Sequence, residues 1–126
     1  MSKRIVIDLD DTLCVTKDSD YSNSIPNQSV IDMLKLYKDD GFVVSIHTSR
    51  NMRTHNGNVG KINALTLPNI INWLNKHDVP FDEVFVGKPW CGDGGFYVDD
   101  RAVRPSEFIK YNYSELVDLL EKEKCF

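Results

Sequence analysis

Within the stretch RIVIDLDDTL the apolar run Ile5, Val6 and Ile7 passes directly into Asp8, Asp10 and Asp11. A β-branched run of this kind reads as a strand at 4–9 buried on both faces, as the central strands of parallel sheets are. Three carboxylates at its end are the strongest constraint on the fold. Two of them about 5 Å apart repel by roughly 3 kcal/mol at an effective dielectric near 20. The chain must therefore bring something cationic to that end, a side chain or a metal ion.

The rest of the chain alternates apolar runs with helical patterns, which predicts an open, mainly parallel sheet with helices on both faces, a Rossmann-like α/β fold. After a polar segment at 16–28, read as a flap or long loop, a helix is expected over 29–39. Val30, Leu34 and Tyr37 share one of its faces and Gly41 stops it. Strands are expected at 42–48, 83–87 and 96–98, the last being the trio FYV. The segment from 49 to 65 lacks a clear period and reads as an irregular loop with short helical turns. A helix opens at Thr66 or Leu67 with Pro68 in its first turn and Leu67, Ile71 and Leu74 as its inner stripe. A last helix at 114–122 buries Leu116, Val117 and Leu120.

At 126 residues, 41% of them hydrophobic, the chain fits one domain. The 15 basic against 19 acidic residues give a net charge of −4, the wrong sign for non-specific attraction to nucleic acid. No stretch has the apolar length of a membrane span and the start is too soon acidic for a secretory signal, so a cytoplasmic protein without membrane contact is expected. Cys14, Cys91 and Cys125 are odd in number and widely spaced, which supports reduced thiols and neither a disulfide framework nor a zinc site.

Asp8 and Asp10, Thr48, Lys88, and Asp99 with Asp100 each fall at or just beyond the C-terminal end of an expected strand, where open parallel sheets form their ligand crevice. One acidic cluster alone would read as a solvated turn. Four segments delivering carboxylates, a hydroxyl and an ammonium to the same end of a sheet are much harder to dismiss.

In these residues the chain resembles the haloacid dehalogenase superfamily of phosphotransferases. Asp8-Leu9-Asp10-Asp11-Thr12 matches the D-x-D-x-T signature, Thr48 the second-motif hydroxyl, Lys88 the third-motif lysine and Asp99-Asp100 the acidic fourth motif, in the family's order over residues 4–101. Asp11 stands where glycine is common. More narrowly, TSRNMRTHNGNVGKIN, VGKPWCGDGGFYVDD and RPSEF are similar to small phosphatases of capsular and surface polysaccharide biosynthesis.

The resemblance implies an aspartyl-phosphate mechanism, with Asp8 as nucleophile and Asp10 as the acid and base. It implies Mg²⁺ held by Asp8, the backbone carbonyl of Asp10 and one of Asp99 or Asp100, with Thr48 and Lys88 on the phosphate oxygens. Neither interval between motifs can hold a cap domain, so the chain resembles the capless branch, whose members act on large substrates or borrow a neighbouring subunit as a lid. A homo-oligomer is expected on that ground.

The expected substrate is a small phosphorylated molecule, a sugar phosphate, with a nucleotide or a nucleic-acid end as the alternative. Arg50, Arg53, Lys61, Arg101 and Arg104 would recognise its anionic parts and Trp90 would face a sugar ring. The plainer alternative is that the cations are surface charges paired with the many acids and that Trp90 is core.

Other phosphate and metal motifs fail on spacing. GNVGKI would need glycine at His55 and Ser or Thr at Ile62 to be a P-loop. Calcium loops starting at Asp8 or Asp18 lack their glycine and glutamate, and Cys91 has no arginine shortly after it. His47 and His77 read as structural, while His55 sits in the long loop. Among non-enzymes, a receiver domain places its acidic pair and its phosphorylated aspartate differently, and an inactive binding module would not need every motif residue.

Overall fold

The computed structural model describes residues 3–124. The chain divides into two compact units, Met1–Trp90 and Cys91–Phe126. In the first, β1 (Arg4–Ile7), β4 (Val43–His47) and β5 (Glu83–Phe85) form a parallel sheet in the order β1-β4-β5, and the short strands β2 (Cys14–Val15) and β3 (Ile25–Pro26) pair antiparallel. Helices α1 (Gln28–Asp39), α2 (Val59–Lys61) and α3 (Leu67–Lys76) belong to this unit. It is an open Rossmann-like α/β fold, as the alternation of apolar runs predicts.

The register sets β1 against β4 from Arg4 opposite Val43 to Ile7 opposite Ile46. Side chains alternate across a sheet, so Ile5, Ile7, Val44 and Ile46 share one face. Val44 and Ile46 are fully buried there, in a core completed by Leu9, Leu13, Val30, Ile31 and Leu34. The opposite face is different. Arg4, Ser45 and Glu83 form a polar chain across it, Arg4 donating to Ser45 at 2.8 Å and pairing with Glu83, while Val6 and Phe85 stay exposed. Among the described residues β1 has β4 as its one strand neighbour and is an edge strand.

The helix expected over 29–39 is α1, and Val30, Leu34 and Tyr37 are buried as its period predicts. Segment 16–28 holds β3 and a 3₁₀ turn at Tyr21–Asn23, so the expected flap is a small hairpin with β2. The inner stripe of α3 differs from expectation. A π-helical turn, Ile62–Thr66, precedes α3, and its wider period rotates the helix so that Ile62, Thr66, Ile70 and Leu74 lie inward at four-residue intervals with Trp73, leaving Leu67 and Ile71 half-buried. Trp73 donates its indole N–H to the Ser24 carbonyl at 3.0 Å, tying α3 to the hairpin.

The second unit contains α4 (Pro105–Lys110), which the sequence reading did not foresee, and α5 (Tyr113–Glu121). Reciprocal hydrogen bonds between Asn112 and Glu115 cap α5. Leu116 is buried, with Val117 and Leu120 half-buried. The strand expected at 96–98 is not among the strands of the described residues, and Phe96, Tyr97 and Val98 are 80%, 50% and 89% exposed. Three residues of high β propensity make a strand only when an edge receives them. No helix among the described residues is long and apolar enough to cross a membrane.

Candidate active site

β1 ends at Ile7, and the chain then wraps tightly around one carbonyl. The Leu9 carbonyl accepts from the backbone N–H groups of Thr12, Leu13 and Cys14 at 3.3, 2.9 and 3.3 Å. Asp11 turns the corner at φ 63°, a left-handed conformation that glycine adopts freely and Asp or Asn tolerates. That explains an aspartate where glycine is common, and it leaves the Asp11 side chain exposed. With Leu9 and Leu13 sealed in the core, Asp8 and Asp10 are held on the intervening turn.

The two carboxylates have different surroundings. Asp8 lies 3.7 Å from the Lys88 ammonium and accepts a long 3.4 Å hydrogen bond from the Thr12 hydroxyl. Burial raises its pKa above the ordinary aspartate value, and the charge of Asp10 adds to the rise against the opposing pull of Lys88. Asp10 is clamped: Arg50 Nε donates to one oxygen at 3.1 Å and its Nη2 to the other at 2.8 Å. The Arg50 side chain is buried, stacks on the Tyr21 ring at 4.3 Å and reaches Cys14 Sγ at 3.7 Å. Burial, then the charge of Asp10, pushes the Cys14 thiol up to about 11, so it is a packed and unreactive thiol.

Thr48 follows β4, fully buried. Its hydroxyl accepts from the Arg50 backbone N–H at 3.0 Å, and its carbonyl accepts from the Lys88 N–H at 3.1 Å. Gly87, at φ +86°, aims Lys88 back at Asp8, and a Cβ there would stand 3.0 Å from a Val59 methyl. His47, half-buried at the end of β4, has its pKa lowered first by burial and then by Lys88.

The first unit therefore brings together Asp8, Asp10, Thr48, Arg50 and Lys88. Arg50 is not at a solvent-facing mouth, where the sequence reading set it; its guanidinium is spent on Asp10. Nothing in the spacing indicated the Arg50, Tyr21 and Cys14 cluster, because its members lie in three distant segments. Arg53 and Lys61 are exposed, and Trp90 is half-exposed at the end of the same unit. Asp99, Asp100 and Arg101 lie in the second unit, where Asp99 accepts the Arg101 backbone N–H at 2.8 Å in an exposed turn. Cys91 is a free thiol like Cys14, and Cys125 lies outside the described residues.

Asp8 and the Asp10 carbonyl offer an all-oxygen donor set, and Asp8 is a partly buried carboxylate whose one ammonium neighbour does not offset its burial. That chemistry fits a hard divalent cation. Among the described residues, however, no three His, Cys, Asp or Glu side chains gather closely enough to hold a metal ion.

An open α/β protein with paired acids, a lysine and a hydroxyl beyond its parallel strands defines the class. No protein-family profile matches the chain, and no curated protein does. Among solved structures it is similar to an MCSG target from Vibrio cholerae, at 57% identity over 97% of this chain and 99% of that one with a TM-score of 0.94, and it belongs to the family of that protein. It is also similar, in fold alone, to a chain of the Pnkp1/Rnl/Hen1 complex, at 21% identity and a TM-score of 0.50 over 86% of this chain and 34% of that one.

Proposed function

We propose that the chain is a magnesium-dependent phosphomonoesterase of the haloacid dehalogenase type and that its substrate is a sugar phosphate of surface polysaccharide synthesis. The observation that carries this reading is the division between two carboxylates two residues apart. Asp8 faces a lysine at 3.7 Å and accepts a long 3.4 Å hydrogen bond from Thr12, while Asp10 is fixed at both oxygens by a buried arginine.

Asp8 is suited to attack: one oxygen forms the bond to phosphorus as the bond from phosphorus to the sugar oxygen breaks. Asp10 gives the leaving oxygen its proton, then takes one from the water that opens the acyl phosphate. Each carboxylate oxygen has two acceptor positions, so the Arg50 fork orients Asp10; Oδ1 also accepts from the Cys14 thiol at 3.7 Å, and Oδ2, which accepts from Arg50 Nε, keeps a position for that proton. The Thr48 hydroxyl accepts from Arg50 and is free to donate to a phosphate oxygen, and Lys88 neutralises another. Magnesium, held by Asp8 and the Asp10 carbonyl with water completing its shell, would spread the charge of the transferring phosphoryl group. Trp90 offers an apolar plane to a sugar ring, and exposed Arg53 and Lys61 suit an anionic substituent.

Phosphate release from a panel of sugar phosphates, nucleotides and an aryl phosphate, with Mg²⁺ or with a chelator, tests this reading. Release that requires Mg²⁺, is highest on a sugar phosphate and is lost in Asp8→Asn is the expected result. No release from any ester, or undiminished release by Asp8→Asn, would overturn it.

A further inference from the structure

The arginine that clamps Asp10 is backed by a ring from outside the parallel sheet. Tyr21 stands on the 3₁₀ turn between β2 and β3, and Arg50 Cζ lies over its ring, 4.3 Å from the centroid. A carboxylate fork fixes a guanidinium within the plane of its hydrogen bonds; an aromatic ring against it limits motion out of that plane and keeps water from the pair. The turn that presents the ring is itself built. The Asp20 carboxylate accepts from the Ser22 hydroxyl at 3.1 Å and the Asn23 amide at 2.8 Å, and the Thr16 and Ser24 hydroxyls close the neck of the hairpin at 2.6 Å. Beyond the neck the Ser24 carbonyl takes the Trp73 indole N–H of α3. Asn27 then binds the turn that carries Asp10, its amide donating to the Thr12 carbonyl at 3.1 Å and its backbone N–H to the Leu13 carbonyl at 2.8 Å. The hairpin is thus fastened both to α3 and to the acidic turn, with Tyr21 on Arg50 between them.

We propose that Tyr21 is a positioning residue for Asp10: its ring holds the Arg50 fork on the carboxylate, and so keeps the acid aimed at the leaving oxygen. The link from Tyr21 through Arg50 to Asp10 stands on the geometry, and what the aim serves rests on the phosphatase reading. In that reading the proton passes from the Asp10 carboxyl to the bridging oxygen as the bond from phosphorus to that oxygen breaks and the bond from phosphorus to Asp8 forms. A sugar alkoxide leaves only with that proton, whereas a nitrophenolate leaves without it. Loosening the clamp must therefore cost one class of ester far more than the other. A residue that served only the fold, the metal or Asp8 would cost both classes alike.

The quantity to compare is kcat/KM, which covers the steps up to departure of the alcohol and excludes hydrolysis of the acyl phosphate. Tyr21→Leu should lower it by about 10- to 10²-fold on a sugar phosphate and by less than about 3-fold on p-nitrophenyl phosphate. Tyr21→Phe, which keeps the ring, should stay within about 2-fold of wild type on both. Equal losses on the two esters, or a loss in Tyr21→Phe as large as in Tyr21→Leu, would overturn the proposal. A second measurement reads the link without any cleavage. Urea midpoints of Tyr21→Leu, Asp10→Asn and the double variant should shift by less than the sum of the single shifts when Arg50 is present, and additively in an Arg50→Met background. Additive shifts with Arg50 in place would overturn the link. Coupled shifts in a protein whose wild type cleaves no phosphate ester would retain the link and strike the phosphatase reading instead.

Discussion

IVIDLDD and FYVDD are the same pattern in sequence, an apolar run delivered into adjacent acids, and the chain treats them in opposite ways. The first is a strand in register with β4, and its acidic turn is anchored by fully buried Leu13 and by Arg50. The second is not a strand among the described residues, and its apolar side chains and acids are exposed. A strand followed by carboxylates becomes a site only where the surrounding fold supplies a neighbouring edge and a counter-charge. Among the described residues the first region has both, β4 as its edge and Arg50 and Lys88 as its counter-charges.

The largest effect expected of any change in either region is that of Asp8→Asn, which should lower turnover by a factor of at least about 10³, since an amide is a poor nucleophile. Asp99→Asn or Asp100→Asn should lose activity chiefly at limiting Mg²⁺ and recover when Mg²⁺ is raised. A titration of turnover against Mg²⁺ that found the two acidic pairs equally sensitive would erase the contrast.

Packing gives the next test. Leu13→Ala should destabilise the protein by about 2–5 kcal/mol, the cost of a cavity in a closed core. Val98→Ala in dilute protein should stay within about 0.5 kcal/mol. Urea unfolding followed by circular dichroism measures both, and similar losses would mean that the trio is packed after all.

Arg50→Lys sharpens the role of the clamp. A lysine keeps the charge and loses the fork, so Asp10 should be less well aimed and kcat should fall by roughly 10 to 10² with KM little changed. A rise in KM at constant kcat would return Arg50 to the substrate-binding role first expected of it.

The smallest effect is on stability. Because burial raises the pKa of Asp8, the folded protein holds that proton to higher pH than the unfolded chain does. The stability Asp8 contributes is thus fully present below the unfolded value near 3.8 and is lost as pH rises through the folded one. In chelator, Asp8→Asn should therefore melt slightly above wild type at neutral pH, with the difference closing in acid. A lower melting temperature for Asp8→Asn at neutral pH would mean that the ion pair with Lys88 outweighs the burial.

The amino-acid sequence by itself determined the alternation that makes a parallel α/β sheet, the buried stripe of α1 and the convergence of Asp8, Asp10, Thr48 and Lys88, because these follow from local periodicity and from the rule that parallel strands gather their C-terminal ends. It could not show that Arg50 is spent on Asp10, since that contact joins residues 40 apart through a buried stack with Tyr21. Nor could it phase α3, where a π turn changes which residues face inward, or foresee that 96–98 is not a strand among the described residues. Helical and strand tendencies are local and legible one segment at a time, but a salt bridge, a helix phase and a strand each need a partner, and only the tertiary structure decides whether the partner is there.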